Sequence, residues 1–214
     1  MKINKFTGLV KKRGMCYWIN TDSGVYLGTQ VSMYNAQGLP QVNDKGQVQT
    51  ILDFDQKTRD KVAVDISYIP RITELRGVNM CNEVLDDDVR AERMYLAAVV
   101  DGVQYAALLD DDGELIFFDE RFLAPIADIL KDDYDYIQYY IRKNHKGEPY
   151  IIIKNGLMTV AAVSPMRVLS EGYLAELKKF SERCKKQFAK EQAQRMITDG
   201  ENPSQNQLGE ESGE

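Results

Sequence analysis

The chain has one histidine, His145, so it offers few groups for acid–base chemistry near neutral pH. This residue opens the segment His145-Lys146-Gly147, which is typical of a hairpin turn and predicts a solvated side chain. The sequence lacks the motifs of a nucleophile elbow, a phosphate-binding loop, a dinucleotide-binding loop and a zinc-protease helix. It therefore predicts a protein that is not an enzyme and that needs no cofactor.

Two aspartate runs, Asp86–Asp88 and Asp110–Asp112, have the residue type that binds hard cations such as Ca²⁺. Such loops need oxygen ligands at alternating positions and a distal bidentate glutamate, and neither run has the complete pattern. Aspartate followed by glycine, as in Asp112-Gly113, is also a common turn sequence. We therefore expect turns at both runs and no metal site.

Cysteine usage and hydropathy bear on the compartment. The three cysteines, Cys16, Cys81 and Cys184, are an odd number and lie far apart without a CxxC pair. This pattern favours a reducing compartment over a disulfide framework or structural zinc. No run of 18 apolar residues is present, and the basic N-terminus lacks the apolar core of a signal peptide. The sequence predicts a cytoplasmic protein without a membrane partner.

Charge is sorted along the chain, whose net charge is −6. Residues 1–20 carry five Lys or Arg and no acid, whereas residues 81–135 carry sixteen acids against four bases. The basic run Lys11-Lys12-Arg13 has two interpretations: a solvated loop or edge strand, or contacts to nucleic-acid phosphates. A sorted distribution of this kind lets an acidic protein present one basic face.

Turn signals, among them Asp101-Gly102 and Asn155-Gly156, separate short runs rich in β-branched and aromatic residues. They predict about ten strands, mostly antiparallel. Apolar spacing predicts two short helices, at 43–54 with Val48, Ile51 and Leu52 on one face and at 120–130 with Ile126, Ile129 and Leu130. The two triads are 78 residues apart, which indicates a weak repeat of a strand–helix–strand unit.

The predicted fold class is α+β: β-rich antiparallel sheets with short helices in two similar units, a C-terminal helix and a disordered tail. The predicted boundaries are a first unit at 1–82, an acidic connection at 83–93, a second unit at 94–170, a basic amphipathic helix at 171–197 and an acidic tail at 198–214. The tail has too few apolar residues to form a core.

The stretch EPYIIIKNGLMTVAAVSPMRVL, residues 148–169, consists of two apolar strands joined at Asn155-Gly156. Its ending resembles the last strand of DNA polymerase processivity clamps, which in bacterial members commonly closes on a Met-Pro-Met-Arg-Leu-like segment. Upstream, a strand, a short helix and another strand follow the order that closes a clamp domain. The resemblance covers residues 114–169 well and the earlier half loosely.

The resemblance implies a non-enzymatic, homo-oligomeric ring that encircles double-stranded DNA without sequence preference and tethers a polymerase or another partner. It implies that Pro165, Met166 and Arg167 border an apolar pocket for a short linear peptide. Ser164 stands where the family usually has methionine, so the pocket would be shallower and more polar. The basic residues that would face DNA across one concave surface are Lys11, Lys12, Arg13, Lys45 and Lys57.

Two other interpretations stay open. The chain is also consistent with a β-rich phage or mobile-element protein that has no DNA role and assembles through sheet edges and the C-terminal helix. Few basic residues in the second predicted helix, only Arg121 and Lys131 beside many acids, argue against a DNA-lined ring. The third is an enzyme whose site the sequence does not reveal.

Overall fold

A computed structural model of the chain describes residues 1–132, 136–167 and 171–200. Within these ranges the protein is α+β, with ten strands in one mostly antiparallel sheet, a few short helices and a long C-terminal helix. The predicted fold class is confirmed. The chain divides into two compact units, Met1–Val168 and Leu169–Glu214.

The sheet belongs to the first unit. Its strands are β1 (Met15–Thr21), β2 (Gly24–Gly28), β3 (Ser32–Asn35), β4 (Ala63–Tyr68), β5 (Val89–Val100), β6 (Val103–Asp110), β7 (Leu115–Asp119), β8 (Ile137–Lys143), β9 (Pro149–Asn155) and β10 (Met158–Val163). The helices are α1 (Ile3–Arg13), α2 (Lys45–Ile51), α3 (Gln56–Lys61), two 3₁₀ helices (Ile72–Glu74 and Glu120–Ile126), α4 (Ala127–Asp132) and α5 (Glu171–Gly200).

The strand order is β4-β1-β2-β3-β10-β9-β8-β5-β6-β7. Tight turns make most neighbours antiparallel, as the sequence predicts. The exception is β4, which pairs parallel with β1 because the chain crosses over through α2 and α3 before it returns. The predicted units 1–82 and 94–170 thus contribute strands to the same sheet, and β5 begins within the predicted connection 83–93.

The sheet curls until its last strand lies near its middle. β7 ends the strand order, but Phe117 of β7 forms an isolated bridge with Met166, three residues after β10. The backbone N–H of Met166 donates to the carbonyl of Phe117 at 2.7 Å, and that of Ser164 donates to Val31 at 2.8 Å. Because β10 is a central strand, this short reach requires the strands between them to curve strongly.

The main core covers one face of the sheet, beneath α1, α2 and the 3₁₀ helix Glu120–Ile126. Trp18 is fully buried there, and Phe6 packs edge-on against Tyr34 with ring centroids 5.8 Å apart. Val48 and Leu52 are buried in this core, as the predicted helix 43–54 requires. The helix itself is α2, and the Asp44 side chain caps it by accepting the N–H of Gln47 at 3.1 Å.

A second, smaller core covers the opposite face, where residues 69–88, between β4 and β5, cross the sheet. We call these residues the crossing segment. Leu75 and Met80 of this crossing segment are fully buried against Ile19, Tyr26 and Ile152. The sequence does not predict that this segment covers the sheet, because its apolar residues have neither the helical nor the strand periodicity.

The helix α1 was not predicted, because the basic residues of the N-terminus dominated its interpretation. Phe6, Leu9 and Val10 are buried at the spacing of one helical face. Gly14 ends the helix in the left-handed conformation, with φ of 73° and its N–H bonded to Val10 at 2.8 Å. Lys11, Lys12 and Arg13 therefore form the last helical turn, not the predicted loop or edge strand.

Two further helices differ from their predicted bounds. The predicted helix 120–130 begins as a 3₁₀ helix, which contains Pro125, and continues as α4 from Ala127. The C-terminal helix α5 extends to Gly200, three residues beyond its predicted end. The remainder of the predicted tail, residues 201–214, lies outside the described residues. No helix of the described part is long and apolar enough to cross a membrane.

Candidate functional site

The exposed side of α1 is basic. Its buried side contacts the core, and the Thr7 hydroxyl donates to the Leu52 carbonyl at 3.0 Å. The opposite side carries the exposed residues Lys5, Lys11 and Lys12 and the half-buried Gly8. Positions 5, 8 and 12 lie on one helical face, with Lys11 beside Gly8 at i+3. We call Lys5, Gly8, Lys11 and Lys12 the basic stripe; it contains no acid.

The charges of Lys11 and Lys57 both act on one carboxylate, that of Asp55. Lys11 Nζ lies 3.9 Å from Asp55 Oδ2. Asp55 caps α3 by accepting the N–H of Thr58 at 2.8 Å. Hydrogen bonding from Thr58, with a smaller effect of the Lys11 and Lys57 charges, lowers the pKa of Asp55 below its usual value. Two of the five predicted DNA contacts therefore have their positive charge partly compensated by the same acid.

Arg13 differs from its neighbours because its charge has structural partners. Its guanidinium lies 3.9 Å from Asp119 and 5.3 Å from the centroid of the Phe122 ring. Burial favours the neutral form of Asp119, but hydrogen bonds and charge from Arg121, together with the charge of Arg13, lower its pKa below the usual value. Arg13 thus fastens the end of α1 to the 3₁₀ helix that Asp119 caps.

Lys12 and Lys45 are the two remaining predicted DNA contacts. Lys12 is exposed on the basic stripe, and Lys45 is exposed at the first turn of α2. Within the described ranges, neither side chain makes an ion pair or hydrogen bond. Nothing in the described contacts links Lys45 to the stripe.

The predicted peptide-binding segment closes the sheet. Pro165 and Met166 are half-buried and Arg167 is exposed, while the Met166 backbone is held by Phe117 as described above. An adjacent cleft of about 250 Å³ is bordered by Ser164, the residue just before this segment. Its lining comes from β1, the β2–β3 turn, β3, β9, the end of β10 and the crossing segment: Tyr17, Thr29, Gln30, Val31, Ser32, Met33, Arg76, Val78, Tyr150, Ala162, Val163 and Ser164.

Arg76 lies at the rim of this cleft in an unusual backbone conformation. Its φ is 49° and that of Gly77 is 82°, the combination of a two-residue turn between Leu75 and Val78. Such a φ is uncommon for arginine. The guanidinium stacks 4.1 Å from the Tyr17 ring centroid and donates a hydrogen bond to Asp65. The lining of the cleft therefore combines apolar side chains with a cation and several hydroxyl groups.

The most buried charges lie elsewhere and were not found by sequence reasoning. Arg142 and Asp88 have side chains only 1% and 0% exposed. Arg142 donates from Nε and a terminal nitrogen to the two Asp88 oxygens at 2.7 and 2.6 Å, and to the carbonyls of Asn79 and Glu83 at 2.9 Å. Asp88 does end the predicted turn, where its carboxylate accepts the Leu85 N–H at 2.9 Å, but its burial and its pairing with Arg142 were not predicted. Burial opposes the charge of Arg142, but its bonds to Asp88 raise its pKa above the usual value.

Lys154 and Thr159 hold the same crossing segment. Lys154 Nζ donates to the Asn82 carbonyl at 2.7 Å, and the Thr159 hydroxyl donates to the Cys81 carbonyl at 2.8 Å. Together with Arg142, these side chains fix the crossing segment onto β8, β9 and β10. Because these side chains donate to backbone carbonyls of the same chain, their hydrogen bonds stabilise the fold. No sequence signal marks them, because their partners lie 54 to 78 residues away.

Cys16 and His145 are two further side chains with groups that can react. Burial raises the pKa of Cys16 to about 12, so its thiol is neutral at ordinary pH. His145 is exposed in the turn after β8, as predicted. No group of three potential metal ligands occurs in the described residues.

Comparison with known proteins gives no relative: no family model, curated protein or solved structure matches the chain.

Proposed function

We propose that the protein is a clamp-like DNA tether, in which the helix-bearing face contacts the duplex and the cleft beside Ser164 receives a partner peptide. The observation that carries the proposal is a repeated arrangement within the sheet. A helix followed by three antiparallel strands occurs twice, as α1-β1-β2-β3 and as the 3₁₀ helix and α4 followed by β8-β9-β10. The halves join where β3 pairs with β10.

The two helical elements lie side by side on the main-core face. The Lys2 N–H donates to the Pro125 carbonyl at 2.6 Å, and Lys2 Nζ lies 2.6 Å from Asp128. The resemblance to processivity clamps implies this layout, with helices towards DNA and sheets outside. The observed repeat differs from the predicted one. The sequence predicted a repeat of α2 and the helix at 120–130, because it did not predict α1.

The basic stripe would supply phosphate contacts of the sequence-independent kind. Lys5 and Lys12 are the sharpest probes, since neither makes an ion pair in the described part of the chain. Arg13 is a poor probe, because its loss would also disturb Asp119. Clamp action further requires a closed ring that traps DNA by topology.

The test compares Lys5→Gln/Lys12→Gln with Lys143→Gln/Lys146→Gln, a control of equal charge change on exposed residues near the β8–β9 turn. We expect the wild type and the control to be retained on circular duplex DNA and lost after linearisation. The stripe variant should show weaker retention, with a salt slope smaller by about two, at roughly 0.9 per phosphate contact. Equal behaviour of both variants, or no retention by the wild type, would contradict the proposal.

A second candidate is a binding or assembly module without a DNA role. It is favoured by the acids on the helix-bearing face, because Asp55, Asp119 and Asp128 each pair with a base there. For this candidate, the DNA experiment should give no retention at any salt concentration, while the protein still forms an assembly.

A further inference from the structure

The cleft beside Ser164 is small and has one charged group in its described lining. Its volume is about 250 Å³. Pockets for whole small-molecule ligands usually measure about 300–1,000 Å³, so this cleft suits one or two side chains of a larger partner. Arg76 is the charged group, and none of the described lining residues is acidic.

The cleft has hydrogen-bond donors in excess of acceptors. The buried Tyr150 hydroxyl accepts the Asn79 N–H at 3.0 Å, and its own hydrogen has no acceptor among the described contacts. Arg76 has five N–H donors, of which one bonds Asp65 within the described residues. The Ser164 hydroxyl makes no hydrogen bond there either. A ligand that only accepts, such as a carboxylate, complements this set.

The backbone at Arg76 does not favour arginine. With φ of 49°, Arg76 occupies a position of a two-residue turn where asparagine, aspartate or glycine is usual. Such local strain in a folded protein is a pointer to function. The ion pair with Asp65 does not explain the choice of arginine, because both side chains are about one-third exposed and such pairs stabilise a fold little.

Tyr17 orients the guanidinium. The Arg76 side chain stacks 4.1 Å from the centroid of the Tyr17 ring, which also lines the cleft. An arginine held in this way loses little freedom when it binds, and its planar fork matches the two oxygens of a carboxylate. Met33, Val78 and Ala162 supply apolar lining in the same cleft. The cleft therefore suits a carboxylate with an apolar neighbour.

We propose that the cleft binds a peptide segment in which an acidic side chain lies next to an apolar one, with Arg76 and Tyr150 donating to the carboxylate. The source is a side chain rather than a chain end, because chain ends are commonly captured by backbone N–H groups and the free donors here belong to side chains. This inference rests on the peptide-binding part of the proposed function and is independent of its DNA contacts.

The first test titrates the full chain with two blocked dipeptides at pH 7, followed by ¹H–¹⁵N NMR. The probes are acetyl-Phe-Glu-amide and acetyl-Phe-Gln-amide, which have nearly the same size and differ in charge. We expect the Glu probe to bind at least tenfold more tightly. Its binding should shift the amide signals of Val31, Val78 and Ser164, which line the cleft.

The second test uses variants of the charged pair. Arg76→Asn removes the guanidinium and puts in the turn a residue that tolerates its φ, so the fold should persist while the preference for the Glu probe is lost. Arg71→Asn is the matched control, an equal charge change at an exposed residue of the crossing segment outside the described lining. Asp65→Asn frees a donor of Arg76 and should tighten the Glu probe at least twofold.

Equal binding of the two probes, or no binding of either, would overturn the proposal. So would a preference for the Glu probe that persists in Arg76→Asn, or weaker binding of that probe in Asp65→Asn. A third probe, acetyl-Phe-Gln with a free C-terminal carboxylate, tests the source. Tighter binding of this probe than of the Glu probe would contradict recognition of an acidic side chain.

Retention on circular DNA, measured on the same wild-type protein, separates this inference from the DNA tether. A wild type that is retained on DNA but does not distinguish the probes would overturn the inference alone. A wild type that distinguishes the probes but is not retained would contradict the tether and support the cleft as a carboxylate site.

Discussion

Arg142 and the basic stripe of α1 show two different uses of positive charge in one small protein. Arg142 is enclosed beneath the crossing segment, and its donors bond Asp88 and two backbone carbonyls. Lys5 and Lys12 lie in water, and within the described ranges neither forms an ion pair. A count of basic residues along the sequence does not distinguish Arg142 from Lys5 and Lys12.

Burial decides what each charge can do. A buried arginine must be fully paired, because removing an ion from water is costly. Its hydrogen-bond donors are then occupied by groups of the same chain. An exposed lysine contributes little to folding and remains able to bind an anionic partner. The comparison predicts that stability responds strongly to changes at Arg142 and hardly at all to removal of the charges of Lys5 and Lys12.

The largest expected effect is that of Arg142→Met. This change leaves the Asp88 carboxylate buried without its partner, so we expect the free energy of unfolding to fall by about 3–5 kcal/mol. Urea denaturation monitored by circular dichroism measures it. The control is Arg142→Met/Asp88→Leu, which removes both charges and should recover a large part of the loss. A single variant as stable as the wild type would show that the ion pair does not hold the crossing segment.

Asp119 offers an intermediate case, since its side chain is 3% exposed and pairs with Arg121 at 2.6 Å. Its pKa is lowered in the folded state, so its stabilising contribution is present above the unfolded pKa, about 3.9, and is lost as pH falls through the folded pKa. We expect Asp119→Asn to lower stability at pH 7 by about 2 kcal/mol. It should also flatten the loss of stability below about pH 4.

The measurement is the urea midpoint from pH 7 to pH 2, with Asp128→Asn as the control. Asp128 is an exposed acid that pairs with Lys2 on the same face. If the urea midpoint falls equally steeply with decreasing pH in the wild type and in Asp119→Asn, then Asp119 does not govern the acid sensitivity of the fold.

Local sequence signals predicted the local parts of this fold. Turn pairs such as Asp101-Gly102 and Asn155-Gly156 lie between strands as expected, and Val48 and Leu52 are buried on one side of α2. The strand order could not be predicted in the same way. The pairing of β3 with β10 joins residues more than 120 positions apart, and no short pattern specifies it.

The misjudged sites have the same cause. Asp88 ends a turn as predicted, but its burial could not be predicted because its partner, Arg142, is 54 residues away. The run MYLAAVV resembles a core strand, yet β5 leaves β8 and exposes it. By contrast, α1 could have been predicted from local sequence, since the spacing of Phe6, Leu9 and Val10 indicates a helix. It was missed because the interpretation of this segment rested on its basic residues.

Gly8 gives a smaller effect of opposite sign. A Cβ atom added there would meet nothing within 4 Å, apart from the helix's own neighbouring backbone. Glycine in a helix interior is less favourable than alanine by about 0.8–1.0 kcal/mol, so Gly8→Ala should raise the free energy of unfolding by about that amount. Thermal and urea unfolding measure the gain. A loss of stability would show that the stripe is packed against another part of the molecule.

The smallest expected effect is that of Lys5→Gln/Lys12→Gln on stability. Neither lysine forms an ion pair in the described part of the chain, and both are exposed, so the free energy of unfolding should change by less than about 0.5 kcal/mol. Urea unfolding at 0.05 and 0.5 M salt measures it, with Lys143→Gln/Lys146→Gln as the control. If the stripe variant loses 2 kcal/mol or more while the control does not, the stripe serves folding as Arg142 does. Its weaker DNA retention would then no longer indicate direct phosphate contacts, because a destabilised fold would also lower it.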